Sequence, residues 1–399
     1  MCRRTDMKKL LIYFPESKLA PKGGQAGYLY NLKKGLEQLQ ENEKLQVDIS
    51  FYNNAPVRFE DNAKLRNRVP KRILEIRRAL NDAYFLKKKF PIDECLFDYD
   101  MIHFHWTEEV YLNRDFLEKY KGKVILTSHS PCVMYKERIG KLNPKDYQLL
   151  KTKIDRLEEM DRYAFGRADY IIFPCEEAEE PYFHTWDRYA SIREADKYRY
   201  MTSGIVGCKA KVNRSDIRAK YNIPENAFVI SYAGRHNEIK GYGDLKQIGE
   251  RFAGEKDVYF LIAGKEEPMT GLKNDHWIEV GWTNDPHSLI AASDVFLLPN
   301  HETYFDLILL EVLSIGVPVI LSSTGGNKYF KKFGKEGLLF YKTIDDAIEN
   351  INNLKATTGE YRHKIGLELV DLFESEFSVA PFTKRYVETI SGIANEEKR

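Results

Sequence analysis

The sequence predicts an α/β protein of two parallel sheets in series, each wound by helices on both faces. Three observations carry that reading. Short apolar runs of strand length alternate with helical stretches through the 399 residues, the order that builds parallel sheets. The alternation starts afresh near Lys211–Asn226. The length itself, at roughly 100–200 residues per domain, predicts two or three domains. The expectation is therefore two Rossmann-like domains facing across a cleft, with ligands beyond the carboxyl ends of the strands.

Leu10–Phe14 is an apolar run that reads as a buried strand. A loop with Pro21, Gly23 and Gly24 follows, after which Tyr28, Leu32 and Leu36 recur at helical spacing. Strand, glycine turn and helix form a unit that can cradle a phosphate at the helix N-terminus, although a lone glycine pair also reads as a flexible loop. Further strands are Val47–Tyr52, Met101–His105, Val124–Thr127 and Tyr170–Phe173, with Asp146–Phe165 among the helices between them. In the second half, Phe228–Tyr232, Val258–Ile262, Trp277–Val280, Val295–Leu298, Pro318–Leu321 and Leu338–Tyr341 read as strands. Lys246–Phe252, His287–Ala292, Leu307–Ile315, Lys328–Phe333 and Asp345–Leu354 read as the helices that separate them.

Composition narrows the function classes. Apolar residues are 43% and charged residues 30% of the chain, a globular profile. Lys+Arg at 61 against Asp+Glu at 60 leaves a net charge of +1, so nothing global attracts nucleic acid. Cys2, Cys95, Cys132, Cys175 and Cys208 lie far apart without a CxxC pair. That argues against a zinc site or a disulfide framework and fits a reducing cytoplasm. No apolar run approaches the ~18 residues of a membrane span. Leu10–Phe14 is also too short for a secretory core. The expected placement is cytoplasmic.

Charge is concentrated locally at 64–89, where ten Lys/Arg stand against Glu75 and Asp82 among leucines and isoleucines. Such a stretch is either a solvated helical face or a surface for an anionic bilayer or acceptor. The bilayer reading adds a peripheral placement at the inner face of the plasma membrane. No nucleic-acid motif accompanies the patch.

Two features of the second half carry chemistry. In Ala233-Gly-Arg-His-Asn-Glu-Ile-Lys-Gly241, Gly234 turns the chain at a strand end, and Arg235 and Lys240 follow at the sheet's carboxyl edge. A fork-shaped donor and a point charge suit a diphosphate. Glu311 is the single charge in Leu307-Ile-Leu-Leu-Glu-Val-Leu. A carboxylate there must face something polar, either a structural partner or vicinal hydroxyls such as those of a ribose. The loop Pro299–Asp306 before it is polar and aromatic, suited to a hydroxylated ligand. His103 and His105 are spaced like a metal pair on one strand face, but no third ligand is evident, so packing or acceptor contact is the expected role.

Taken in order, residues 228–341 resemble glycosyltransferase family 4, the retaining enzymes of GT-B fold. The matching pieces are 233–241, Leu-Ile-Ala-Gly (261–264), Val-Gly-Trp (280–282), Ala-Ser-Asp-Val-Phe-Leu-Leu-Pro (292–299) and Leu-Glu-Val-Leu-Ser-Ile-Gly-Val-Pro-Val-Ile (310–320). In the first half, Gly23–Gly24 resembles the family's glycine loop and His129 in Leu-Thr-Ser-His-Ser its active-site histidine. A final helix at about Pro381–Ile393 resembles the one that returns to the first domain.

The resemblance implies a glycosyltransferase that moves a sugar from a UDP- or GDP-sugar to a glycan or lipid-linked acceptor with retention. It implies an acceptor domain at 1–208, a donor domain at 209–377 and the returning helix at 378–399. His129, Arg235 and Lys240 would be catalytic. Gly23, Gly24, Gly234, Glu302, Thr303, Tyr304, Phe305, Asp306, Leu307 and Glu311 would bind the donor. No DxD-like pair stands where a metal would bridge the phosphates, so no metal or other cofactor is expected. The sequence departs from the family where a second glutamate is usual, at Thr303, and where a glycine is usual, at Asp306. Glu302, Thr303 or Asp306 would then take the sugar-contact role, or activity is lost. The alternatives are a catalytically silent binding subunit and a nucleotide-sugar 2-epimerase on the same scaffold.

Overall fold

In the computed structural model, residues 7–14, 19, 24–42, 47–52, 69–140 and 142–397 are described. Gly23 and residues 64–68 of the basic stretch lie outside them. The described strands form two parallel sheets of six, and the chain divides into two units. The first comprises residues 1–174, 181–201 and 384–399; the second comprises 175–180 and 202–383. The expected divisions lay at 208/209 and 377/378.

In the first unit, β1 (Lys8–Tyr13), β2 (Val47–Tyr52), β3 (Met101–Phe104), β4 (Lys123–Leu126), β5 (Tyr170–Phe173) and β6 (Tyr198–Tyr200) lie in the order β2-β1-β3-β4-β5-β6. The order reverses between β1 and β3. Helix α1 (Gly24–Asn42) begins at the second glycine of the loop, as its spacing predicts, and α2 (Lys71–Phe85) carries most of the described basic stretch. The expected single helix at 146–165 is two: Pro144–Leu149 and α3 (Lys151–Arg167), parted at Leu150.

The second unit contains β7 (Phe228–Ala233), β8 (Val258–Ala263), β9 (Trp277–Gly281), β10 (Val295–Leu298), β11 (Val319–Ser322) and β12 (Leu338–Tyr341). Their order is β12-β11-β10-β7-β8-β9. Renumbered within the unit this is 3-2-1-4-5-6, the order of dinucleotide-binding sheets, with its switch point between β7 and β10. Period-two alternation explains the double winding. Phe228, Ile230 and Tyr232 pack with Leu245, Ile248 and Phe252 on one face, while Val229 packs with Ile217, Leu289 and Ala292 on the other. Helix α4 (Tyr242–Arg251) belongs to the first of these layers and α5 (Pro286–Ala291) to the second, and α6 (Leu307–Ile315) follows β10.

The last helix, α7 (Val379–Asn395), runs from the second unit into the first. Its later residues are built into the first unit's core. Tyr386 Oη is hydrogen-bonded to His103 Nδ1 at 3.0 Å, and Glu396 accepts from Tyr170 Oη at 2.9 Å and Arg199 Nη2 at 2.8 Å. Among the described residues no helix is long and apolar enough to cross a membrane.

Candidate active site

The loops after β7 and β10 flank the switch point of the second sheet, and the sequence ties them together. Gly241 has φ +61°, and a Cβ there would lie 1.7 Å from the Pro299 carbonyl oxygen. Only glycine lets these backbones touch. The His301 amide donates to the Ile239 carbonyl at 3.0 Å, a second tie. Lys240 is thereby held beside the 299–306 loop. Its Nζ lies 2.6 Å from Asp306 Oδ2, and Asn300 Nδ2 donates to the same carboxylate oxygen. Arg235, on the same loop, is exposed.

Asp306 is the N-cap residue of α6, where an aspartate ordinarily accepts from the first helical amides. It makes no such bond here, because its carboxylate is turned to Lys240 and Asn300. The N-terminus of α6 is left without a side-chain cap, at the positive end of the helix dipole and beside an ammonium group. That combination favours an anion that takes the place of the Asp306 carboxylate on Lys240.

The remaining loop residues divide by burial. Thr303 is fully buried, its Oγ1 accepting from Asn300 Nδ2 at 3.3 Å. Its carbonyl oxygen lies where a Cβ on Gly325 (φ +41°) would come within 2.2 Å. Tyr304 and Phe305 are buried, the Phe305 ring stacked on Phe330 at 5.3 Å. Glu302, Leu307 and Gly234 are half-buried.

Glu311 does face a polar group. Buried Leu309, Leu310, Val312 and Leu313 fix α6 in the core, and Glu311 Oε2 lies 3.0 Å from His287 Nε2 on α5. The Cys208 sulfur stands within 4.8 Å of the same imidazole, and Cys208 and then Glu311 push the His287 pKa up to about 10.

The first unit gathers the other named residues. His129, beyond β4, holds φ +56°, in the left-handed region, at a cost of order 1–3 kcal/mol. Strain of this kind clusters at functional sites. His129 Nε2 lies 2.9 Å from His105 Nδ1, and the Tyr28 ring of α1 packs against it at 4.6 Å. Gln25 Nε2 donates to the His105 carbonyl at 3.1 Å, and nothing lies within 4 Å of a Cβ on Gly24. The start of α1 and the ends of β3 and β4 thus meet at His129. Burial holds the His103 and His129 rings neutral, with pKa values of about 3, and depresses His105 well below its usual value. His103 bonds Thr127 Oγ1 at 2.9 Å as well as Tyr386, so the pair at 103 and 105 makes polar side-chain contacts.

Sequence reasoning missed Asn300, Gly325, His105 as neighbour of His129, and the pairing of Cys208 and His287 with Glu311. The only available signal was position: Asn300, Gly325 and His105 stand just beyond strands and His287 at a helix start, while Cys208 carried no such signal. The Ser293-Asp294 pair of the matching pieces is structural. Asp294 Oδ2 accepts from Arg218 Nη2 at 2.8 Å and the Val229 amide at 2.9 Å, and Oδ1 from Arg214 Nη2 at 2.9 Å.

Residues 227–356 match the family model of glycosyl transferases group 1. This stretch is similar to the group 1 glycosyl transferases. It contains Arg235, Lys240, the 299–306 loop, His287 and Glu311, while Gly23, Gly24, His129 and Cys208 lie outside it. One relative, the UDP-Gal:alpha-D-GlcNAc-diphosphoundecaprenol alpha-1,3-galactosyltransferase of Escherichia coli, is 30% identical over 37% of this chain and 41% of its own. Another, the lipopolysaccharide core biosynthesis glycosyltransferase LpsE of Rhizobium meliloti, is 25% identical over 44% of this chain and 53% of its own. The chain thus spans about half the length of these curated relatives or less. The solved structure of Anabaena HepE in complex with UDP-glucose superposes with a TM-score of 0.62 at 15% identity, covering 96% of this chain and 99% of that one. The matched region therefore sits in a chain of GT-B fold, two Rossmann-like α/β units.

Proposed function

We propose that this protein is a retaining glycosyltransferase, moving a sugar from a nucleotide diphosphate donor to a glycan or lipid-linked acceptor in cell-surface polysaccharide or glycoconjugate synthesis. The observation that carries the reading is the Lys240 ammonium beside the uncapped N-terminus of α6 at the switch point of a dinucleotide-type sheet. Once Asp306 is displaced from Lys240 both are positive, and a leaving diphosphate gains negative charge as the glycosidic bond breaks. Arg235 and Lys240 stabilise that charge, so no divalent ion is needed to bridge the phosphates. Glu311 accepts hydrogen bonds from the ribose, backbone amides near Gly24 complete the pyrophosphate site, and His129 orients the sugar.

The donor is a UDP-sugar, a choice supported by the donor in the E. coli relative's name and by the UDP-glucose in HepE. The diphosphoundecaprenol in that relative's name supports a lipid-linked acceptor. The exposed side of α2 suits a peripheral site on an anionic membrane, with Ile73, Arg77, Leu80 and Tyr84 at helical spacing along it.

The second reading is a catalytically silent nucleotide-binding subunit. One observation favours it: Asp306 neutralises Lys240 where a glycine would leave it open. Incubation with a panel of nucleotide sugars, scoring release of free nucleotide, separates the two. Release supports the enzyme; binding without release supports the silent subunit.

A further inference from the structure

We propose that Cys208, His287 and Glu311 form a binding site for a thiophilic divalent cation of the zinc class. One ligating atom of each lies within 4.8 Å of the others, and among the described residues no other group of three or more such side chains gathers in this way. The three come from separate elements of one unit: the segment before residue 211, the first turn of α5, and the middle of α6. Sulfur, imidazole nitrogen and carboxylate oxygen are the donor types that zinc takes, and three protein donors leave a fourth position for water or a ligand.

The scaffold around the three is firm. The Cys208 amide donates to Ser314 Oγ at 3.1 Å, and that hydroxyl donates to the Glu311 carbonyl at 2.8 Å. Cys208 is thereby fixed to the helix that carries Glu311. Asp285 caps α5 by accepting from the Ser288 amide at 3.2 Å, fixing the turn that carries His287. All three side chains are partly exposed, so an ion reaches them from solvent.

The His287–Glu311 distance suits a small ion after a minor adjustment, and the Cys208 sulfur lies within 4.8 Å of both. Bonds of about 2.0–2.3 Å to a tetrahedral ion separate its ligand atoms by roughly 3.3–3.7 Å. The observed 3.0 Å between His287 Nε2 and Glu311 Oε2 has to open by a few tenths of an ångström. The ion replaces the protons that hold the cluster together in its absence, as metal binding to Cys and His requires.

The cysteine spacing gave no hint of this site, because positions 208, 287 and 311 are brought together only by the fold. The ion is also not the phosphate-bridging metal that the sequence makes unnecessary. Its consequence for catalysis rests on the proposed ribose contact of Glu311: ion and nucleotide compete for one carboxylate. The ion binding itself does not rest on that contact.

The test is titration of the full chain with Co2+, followed by its displacement with Zn2+. The expected result is one equivalent bound with a thiolate-to-cobalt charge-transfer band. C208S loses the band, and H287Q binds at least about 10–100-fold more weakly, a loss no smaller than that from removing an outer-shell partner. Circular dichroism checks that both variants fold. Absence of the band in the wild-type protein, or an undiminished band in C208S, overturns the proposal. UDP added to the cobalt-loaded protein weakens the band if Glu311 serves both ligands. A band indifferent to saturating UDP leaves the ion site standing and removes the ribose contact.

Discussion

The Lys240 ammonium and the Asp306 carboxylate form an ion pair of 2.6 Å, both side chains less than one-fifth exposed. The family resemblance would put a glycine at 306. Here the expected phosphate-binding cation already has an anionic partner, and under the proposed function the donor diphosphate displaces it.

A direct consequence follows for D306N. Asparagine keeps the size and gives up the charge, so Lys240 becomes available to the diphosphate. A charged hydrogen bond contributes on the order of 1.5–3 kcal/mol, so UDP should bind roughly 10- to 150-fold more tightly to D306N than to the wild-type protein. Isothermal titration with UDP measures this. Weaker binding by D306N would instead make Asp306 a donor contact.

Asp294 tests the separation of scaffold from site. Its carboxylate accepts from Arg218, which is 1% exposed. Removing one partner of a buried pair costs about 3–5 kcal/mol, because the other charge is left uncompensated. D294N should lose that much stability in urea unfolding. A loss below about 1 kcal/mol would mean that the Arg218 charge is not paired as described.

How far the site was legible differs between its parts. The strand runs, the restart between the units and the two cations all follow from local patterns, because parallel strands buried on both faces read as apolar runs. The Leu307–Ile315 helix is found with the predicted ends. The partners of the named residues were not legible. Asp306 meets Lys240 across 66 positions of sequence and His105 meets His129 across 24. Such pairings are set by sheet order, which no local window contains. The short β6 and the helix Gly359–Leu372 went unread for another reason. The first is only three residues long, and the second mixes polar and apolar residues without a clean stripe.

The buried histidines fix the sign of a pH effect. His103 and His129 stay neutral down to about 3 when folded, against an ordinary 6.5. As pH falls below 6.5 the unfolded chain takes up protons that the folded chain refuses. Their contribution to stability is therefore complete above 6.5 and declines towards 3, by roughly 1.4 kcal/mol per pH unit for each proton. Asp161, pushed up to about 7 by burial, acts in the opposite sense, so the informative quantity is a difference. Between pH 6 and 4 the stability of H103Q should fall less steeply than that of the wild-type protein, by about one proton. Equal slopes would show that His103 titrates normally.

The basic stretch predicts a salt-dependent association. On α2 the exposed Ile73, Leu80 and Tyr84 lie among exposed Arg77 and Arg78, while Arg72 is held by Asp146 at 2.7 Å. Each cation near an anionic bilayer contributes roughly 1 kcal/mol. Co-sedimentation with phosphatidylserine-containing vesicles should be strong at low salt and weak at physiological salt, where screening shortens to ~8 Å. Neutral vesicles should not pellet the protein. Equal, negligible pelleting with both vesicle types removes the membrane surface and leaves the glycosyltransferase proposal untouched.

Release of nucleotide from UDP-sugars by the wild-type protein and K240A, in the presence of EDTA, tests the central claim most directly. The wild-type protein should turn over at least one UDP-sugar under chelation. K240A should retain its fold and lose about 2–4 kcal/mol of transition-state stabilisation, a 30- to 1000-fold fall in kcat. Wild-type turnover by K240A, or activity abolished by EDTA and restored by magnesium, would contradict the account of two side-chain cations stabilising the leaving diphosphate.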